Sequence, residues 1–177
     1  MALLIFAVLS LLVAGELQAG VVVGGTRFIF PADRESISIL LTNTSQESWL
    51  INSKINRTTR WAGGEASTVP APVLDSPPLI LLKPGTTGTL RLLRTESDIL
   101  PVDRETLFEL SIASVPSGKV ENQSVKVAMR SVFKLFWRPE GLPGDPLEAY
   151  QQLRWTRNSQ GVQLTNPTPY YINLIPV

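Results

Sequence analysis

Apolar and polar positions alternate through the stretch Val125–Arg138, which reads VKVAMRSVFKLFWR. Val125, Val127 and Met129 fall on one side of an extended chain, with Lys126, Ala128 and Arg130 on the other. The pattern predicts a long strand from about Ser124 to Trp137, with no Gly inside it and no Pro before Pro139. Past Ser131 the alternation breaks down. Phe133, Leu135 and Trp137 occupy one side, and Val132 and Phe136 the other. A stretch apolar on both sides is one covered on both faces. The first half is apolar on one side only. It is either buried in the protein's own core or offered, with its backbone hydrogen bonds, to another chain's sheet. From the pattern alone the first of these is the more ordinary use.

Elsewhere the chain reads as short strands separated by turn residues. Val21–Phe30 is apolar and stopped by Pro31; Ser36–Leu41 alternates and ends in Thr42-Asn43-Thr44-Ser45. Trp49–Ile55 follows, then Trp61–Pro72, rich in Gly, Ala, Ser and Pro, as an irregular connection. Leu79–Leu82 and Thr89–Leu93 flank Lys83-Pro84-Gly85, where Pro and Gly suit a type II turn. Thr106–Val115 and the long strand complete a set of seven. Leu142–Tyr150 has room for a single short helical turn. The expected class is all-β: an immunoglobulin-like seven-stranded sandwich followed by an incomplete second β domain. Its core is expected from Phe28, Ile39, Leu41, Trp49, Ile51, Leu90, Leu92, Phe108, Leu110 and Ile112. Residues 139–147 carry Pro139, Gly141, Pro143, Gly144 and Pro146, a density of breakers that marks a linker. Beyond it, Leu153–Thr156, Val162–Thr165 and Tyr170–Ile175 are strand-like. So short a segment cannot enclose a core of its own. Either it completes the first domain or it begins a second one that is cut short.

Composition removes whole classes of chemistry. The 177 residues contain neither Cys nor His, which excludes disulfides and thiolate metal sites and removes the commonest general base. A net charge of +1 gives no reason to expect nucleic acid as a partner. Gly24-Gly25 and Gly63-Gly64 lack the Lys-Ser/Thr ending of a phosphate loop and read as turn or strand-edge glycines. No enzyme activity, cofactor or small-molecule substrate is expected. Ala2–Ala14 is almost wholly apolar, and Gly15-Glu16-Leu17-Gln18-Ala19 ends it on a small residue. Residues 1–19 are therefore expected to be a secretory signal, too short to span a membrane comfortably. One feature departs from that pattern: the first basic residue is Arg27.

Several segments, taken in order, resemble the periplasmic chaperones of the chaperone–usher pilus pathway, the PapD-like family. They are Gly20–Arg27, Leu41-Thr42-Asn43, Pro77-Pro78-Leu79 with Lys83-Pro84-Gly85, Leu100–Phe108, Phe133–Pro139 and Asn166–Tyr171. The resemblance implies two immunoglobulin-like domains with a cleft between them, here residues 20–138 and a truncated domain starting at 148. It implies a protein that works without ATP by lending a strand to pilus (fimbrial) subunits, which lack their own last strand. The partners would be those subunits and an outer-membrane usher, in the periplasm, with self-association of client-free copies an open alternative.

The resemblance also assigns residues. Val125, Val127 and Met129 would enter the subunit, reversing the ordinary reading of that face. Arg27 and Lys134 would hold the subunit's terminal carboxylate, a fork and a point charge that fix the register of the lent strand. Nothing in the sequence shows that the two meet, and separate surface cations are the plainer reading, although Lys134 sits among apolar neighbours. Glu105 and Arg138 would belong to an ionic network between domains, incomplete here, or be separate solvated charges. Arg104 beside Asp103 reads as a solvated corner. Two other functions fit the same fold: an immunoglobulin-like structural pilus subunit or adhesin module, and an inactive truncated chaperone. Complete strands, no Cys pair and no polar donor arm after Gly20 favour the chaperone.

Overall fold

The computed structural model describes residues 20–58, 61, 70–96, 100–118, 126–159 and 161–174. The expected signal sequence, Gly63-Gly64 and Val125 lie outside these. The strands are β1 (Val21–Val23), β2 (Arg27–Pro31), β3 (Ser36–Asn43), β4 (Trp49–Arg57), β5 (Val73–Ser76) and β6 (Leu79–Leu82). They continue as β7 (Thr87–Arg94), β8 (Thr106–Pro116), β9 (Met129–Arg138), β10 (Arg154–Asn158) and β11 (Gly161–Thr165). A short 3-10 turn spans Ala149–Gln152.

Two sheets face each other, in the orders β1-β3-β7-β5 and β2-β9-β8-β4-β6. Alternation along each strand explains the layering. Ile39 and Leu41 of β3, Leu90 and Leu92 of β7, and Leu110 and Ile112 of β8 all point inward and are buried. Phe30, Phe108 and Leu135 are fully enclosed between the sheets. Each such side chain contributes on the order of 1.5–3 kcal/mol by leaving water. Of the expected core, only Trp49 remains half-buried; its indole N–H donates to Ser45 Oγ at 2.7 Å. Asn43, although fully buried, is satisfied: its amide donates to the carbonyls of Glu47 and Leu82 and accepts from Ser45. The turn between β6 and β7 fits its residues, with Gly85 at φ 66° after Pro84 and the Thr86 N–H on the Lys83 carbonyl at 3.1 Å. It carries the chain from one sheet to the other rather than closing a hairpin.

Among the described residues the sandwich is built from nine strands, two more than the pattern suggests. The first expected strand divides, β1 pairing with β3 in one sheet and β2 with β9 in the other. The switch occurs at Gly24-Gly25, where a Cβ on Gly25 would lie 2.9 Å from the Phe28 ring. β5, not expected from its sequence, extends the edge of the first sheet against β7. The long strand also starts later than its pattern suggests, at Met129 rather than Ser124. The register that pairs Ser114 with Met129 would place Pro116 opposite Val127, and Pro has no N–H to continue the ladder. Lys126–Ala128 therefore precedes the strand.

Among the described residues after Arg138, no further strand joins the sandwich. β10 and β11 pair only with each other. They do not complete the first domain, the first of the two alternatives above. Residues 170–174 form no strand, against expectation, and Tyr170 is buried.

Candidate functional site

Three features meet around β9: an open strand edge, a pair of cations and a buried carboxylate. The edge follows from lengths. β8 accompanies β9 throughout, from Ser114 opposite Met129 to Thr106 opposite Trp137. β2 is half as long and covers only Lys134–Arg138. Met129–Phe133 therefore has a strand on one side and none on the other among the described residues. Its unpaired backbone groups are a template for another strand. The side chains agree. Met129 is 57% exposed and Val127, just before the strand, 63%, whereas Leu135 is fully buried and Trp137 stacks on Phe30 with centroids 5.4 Å apart. Phe133 stands at the boundary, its ring 5.7 Å from that of Phe28. Of the expected ridge, Met129 alone belongs to a strand. Val127 is exposed in the approach to it, and the shared face with Val125 does not follow from this structure.

Arg27 and Lys134, 107 positions apart in sequence, are register partners in the parallel ladder of β2 and β9. Adjacent parallel strands lie about 4.8 Å apart, so the two side chains leave the same outer face side by side. They form the first rung of that ladder, where the open half of β9 meets the covered half. A cleft of about 330 Å³ lies over them, lined by Thr26, Arg27, Trp61, Val132, Lys134 and Asn173. Lys134 Nζ donates to Asn173 Oδ1 and stands 5.4 Å from the centre of the Trp61 ring. Among the described residues that line it, none is acidic. Glu109 is the register partner of Lys134 on the β8 side, but its carboxylate accepts the Thr58 hydroxyl at 2.8 Å. Among the described residues neither cation forms an ion pair. Such a cleft suits a carboxylate: one planar donor fork, one ammonium and, among the described residues, no competing anion.

Glu105 lies one residue beyond an exposed corner. Asp103 and Arg104 pair in the open at 2.7 Å, and the guanidinium hydrogen bond holds the Asp103 carboxyl below its ordinary value. Glu105 is instead 4% exposed. One oxygen accepts Arg138 Nε at 2.7 Å and the other the backbone N–H of Tyr171 at 2.8 Å. Its own N–H donates to the Pro169 carbonyl at 2.9 Å. A buried carboxylate is tolerated when charged and polar donors satisfy it in this way. The solvated alternative for Glu105 is therefore corrected, while Arg138 is partly exposed. Around this clamp the Arg138 guanidinium lies 5.4 Å from the Tyr170 ring centre, and Phe136 and Tyr171 rings are 5.6 Å apart. The Tyr170 hydroxyl is within reach of the Leu142 and Gly144 carbonyls at 3.2 and 3.1 Å. Burial, and then the Glu105 charge, raise the Tyr171 phenol above its ordinary value. The clamp fixes residues 169–171 against the sandwich, and Asn173, two residues on, reaches the cleft.

Sequence reasoning missed Trp61 and Asn173. A large aromatic in a connection of small residues was the one available signal for Trp61; nothing marked Asn173. Among the described residues, no group of three or more Asp and Glu is placed to hold a metal ion.

Comparison with known proteins places the chain in a family. The family described as pili and flagellar-assembly chaperone, PapD N-terminal domain, matches residues 20–143. The PapD C-terminal domain of pili assembly chaperones matches residues 148–177. The fimbrial chaperone YcbF of Escherichia coli K12 is 97% identical over the whole chain, which covers 75% of it. The chaperone protein FimC of the same strain is 33% identical, over 94% of this chain and 68% of its own length. Among solved structures, the Salmonella enterica SafB chaperone in complex with the SafA pilin superimposes with a TM-score of 0.73 at 30% identity. That match covers 87% of this chain and 71% of the other.

Proposed function

The chain belongs to the PapD-like family of pilus-assembly chaperones, and from that premise we propose that it captures pilus subunits along the open half of β9. The subunit's last residue binds first, its carboxylate held by Arg27 and Lys134. The subunit chain then runs beside Met129–Phe133, gaining the backbone hydrogen bonds that β2 is too short to take. Val127 and Met129, with Val125 ahead of them, supply apolar surface to the subunit's groove. Met129 adds a side chain that adapts to irregular pockets.

One observation carries this reading: the cation pair stands at the rung where β2 ends and the open edge begins. A terminal anchor has a physical purpose there. A slip of one residue would turn every side chain of the incoming strand to the wrong face, and a fixed end prevents it. The Glu105–Arg138 pair holds the C-terminal segment beside the cleft. Division into domains at 20–138 and 148–177 around a linker, export to the periplasm by residues 1–19 and delivery to an outer-membrane usher belong to the same proposal. They are supported by the family and not by geometry. The relatives are chaperones rather than subunits, so a structural pilus module is not favoured.

The test is calorimetry with a synthetic peptide copying the last strand of a pilus subunit. Arg27→Ala and Lys134→Ala are each expected to weaken binding by about 1.5–3 kcal/mol, the range for hydrogen bonds to charged groups. The wild-type affinity should fall as salt is raised. Unchanged affinity in both variants would overturn the anchor.

A further inference from the structure

The carboxylate cleft has three kinds of lining residue. Arg27 and Lys134 provide charge, Thr26 and Asn173 are neutral and polar, and Trp61 and Val132 are apolar. A site that only needed to hold a carboxylate would gain nothing from an indole. The side chain of Trp61 reaches this cleft from between β4 and β5 and is half-buried there. Its ring lies 5.4 Å from Lys134 Nζ, within the range of a cation–π contact. Lys134 therefore faces a hydrogen-bond acceptor, Asn173 Oδ1, and an aromatic face. Both are neutral, so they steady the ammonium and leave its charge available to an incoming anion. Val132 leaves β9 on the same face as Lys134, two residues earlier. The volume, about 330 Å³, is at the lower end of the range for ligand pockets, about 300–1,000 Å³.

We infer that Trp61 is a specificity residue of the anchor: the cleft reads the side chain of the client's last residue and prefers an aromatic one. The terminal carboxylate lies between Arg27 and Lys134, and the side chain on the same Cα is directed to the apolar wall of Trp61 and Val132. Aromatic pairs are stabilising beyond the area they bury. Displacing water from this wall also strengthens the neighbouring ionic contacts, because the local dielectric falls. Trp61 thus couples the identity of the last residue to the strength of the anchor. This inference rests on the carboxylate-anchoring reading above.

The experiment measures binding of two acetylated peptides to the full chain. Both copy the last strand of a pilus subunit; one ends in Phe and the other in Gly, and each is made as free acid and as amide. Wild-type protein should bind the Phe acid about tenfold more tightly than the Gly acid, a scale set by one well-placed aromatic contact with its buried area. Trp61→Phe keeps a ring and should retain most of the preference. Trp61→Leu keeps apolar bulk without a ring and should reduce it below about twofold, with the thermal midpoint of both variants confirming a folded domain. A wild-type protein that does not distinguish the two acids, or a preference that survives in Trp61→Leu, would overturn the role of Trp61 while leaving the anchor intact. Equal binding of acids and amides would overturn the anchor itself, and this inference with it.

Discussion

The two halves of β9 have the same backbone conformation and the same neighbour, β8, yet they live in different surroundings. Lys134–Arg138 is enclosed by strands on both sides and supplies Leu135, Phe136 and Trp137 to buried positions. Met129–Phe133 has a strand on one side, begins with a methionine more than half exposed, and follows an exposed valine. The difference comes from the neighbour. β2 begins at Arg27, after the chain has switched sheets at Gly24-Gly25, and so reaches only half of β9. A longer β2 would close the edge, and a shorter one would leave the core of the second half open. An exposed strand edge is ordinarily a hazard for aggregation. Here it lies beside a cation pair that could fix what binds to it.

Substitutions can break that comparison, and the largest effect is expected in the enclosed half. Leu135→Ala removes a side chain with no exposure, and should destabilise the domain by about 2–5 kcal/mol in denaturant unfolding. A loss below about 1 kcal/mol would mean that the second half is not the structural one. Beside the far end of β9, Glu105→Gln keeps one acceptor oxygen and turns the other into an NH2 donor, so either Arg138 Nε or the Tyr171 N–H loses its partner. The expected cost is about 1–3 kcal/mol, that of leaving one buried donor unsatisfied. Limited proteolysis should then cut residues 139–147 faster, since the segment that follows is held less tightly. Unchanged cleavage would show that the clamp is not what holds it. The smallest effect on stability is expected in the open half. Val127→Asp should alter unfolding by no more than about 0.5 kcal/mol, because the side chain is exposed, yet weaken capture of a subunit about tenfold. If this variant unfolds the domain, the apolar side chain belongs to the protein's own core.

How much of this was legible in the sequence depended on range. Local alternation identified most strands and nine of ten expected core positions, because Ile39 and Leu41, or Leu110 and Ile112, carry their burial in their spacing. The four residues of β5, Val-Leu-Asp-Ser, contain too few alternations to register, and their pairing with β7 is set by tertiary context. The onset of β9 departs from its pattern for a similar reason: the apolar period continues through Val127, but the partner strand reaches Pro116, which has no N–H to bond. Glu105 directly follows Asp103 and Arg104 and is buried where they are exposed, and nothing in three consecutive charged residues tells which one turns inward. The meeting of Arg27 with Lys134 depends on parallel pairing between the beginning and end of the sandwich. No spacing rule spans that distance, and only the resemblance to a family anticipated it. Trp61 and Asn173 reach the same cleft through loops, where pattern carries least information.

Hydrogen exchange along β9, measured on the free protein and again with a pilus subunit bound, tests the lent edge most directly. Amides of Lys134–Arg138 should be protected in both states. Those of Met129–Phe133 that face away from β8 should exchange rapidly in the free protein and become protected when the subunit binds. Slow exchange throughout Met129–Phe133 in the free protein, or no gain of protection on binding, would contradict it.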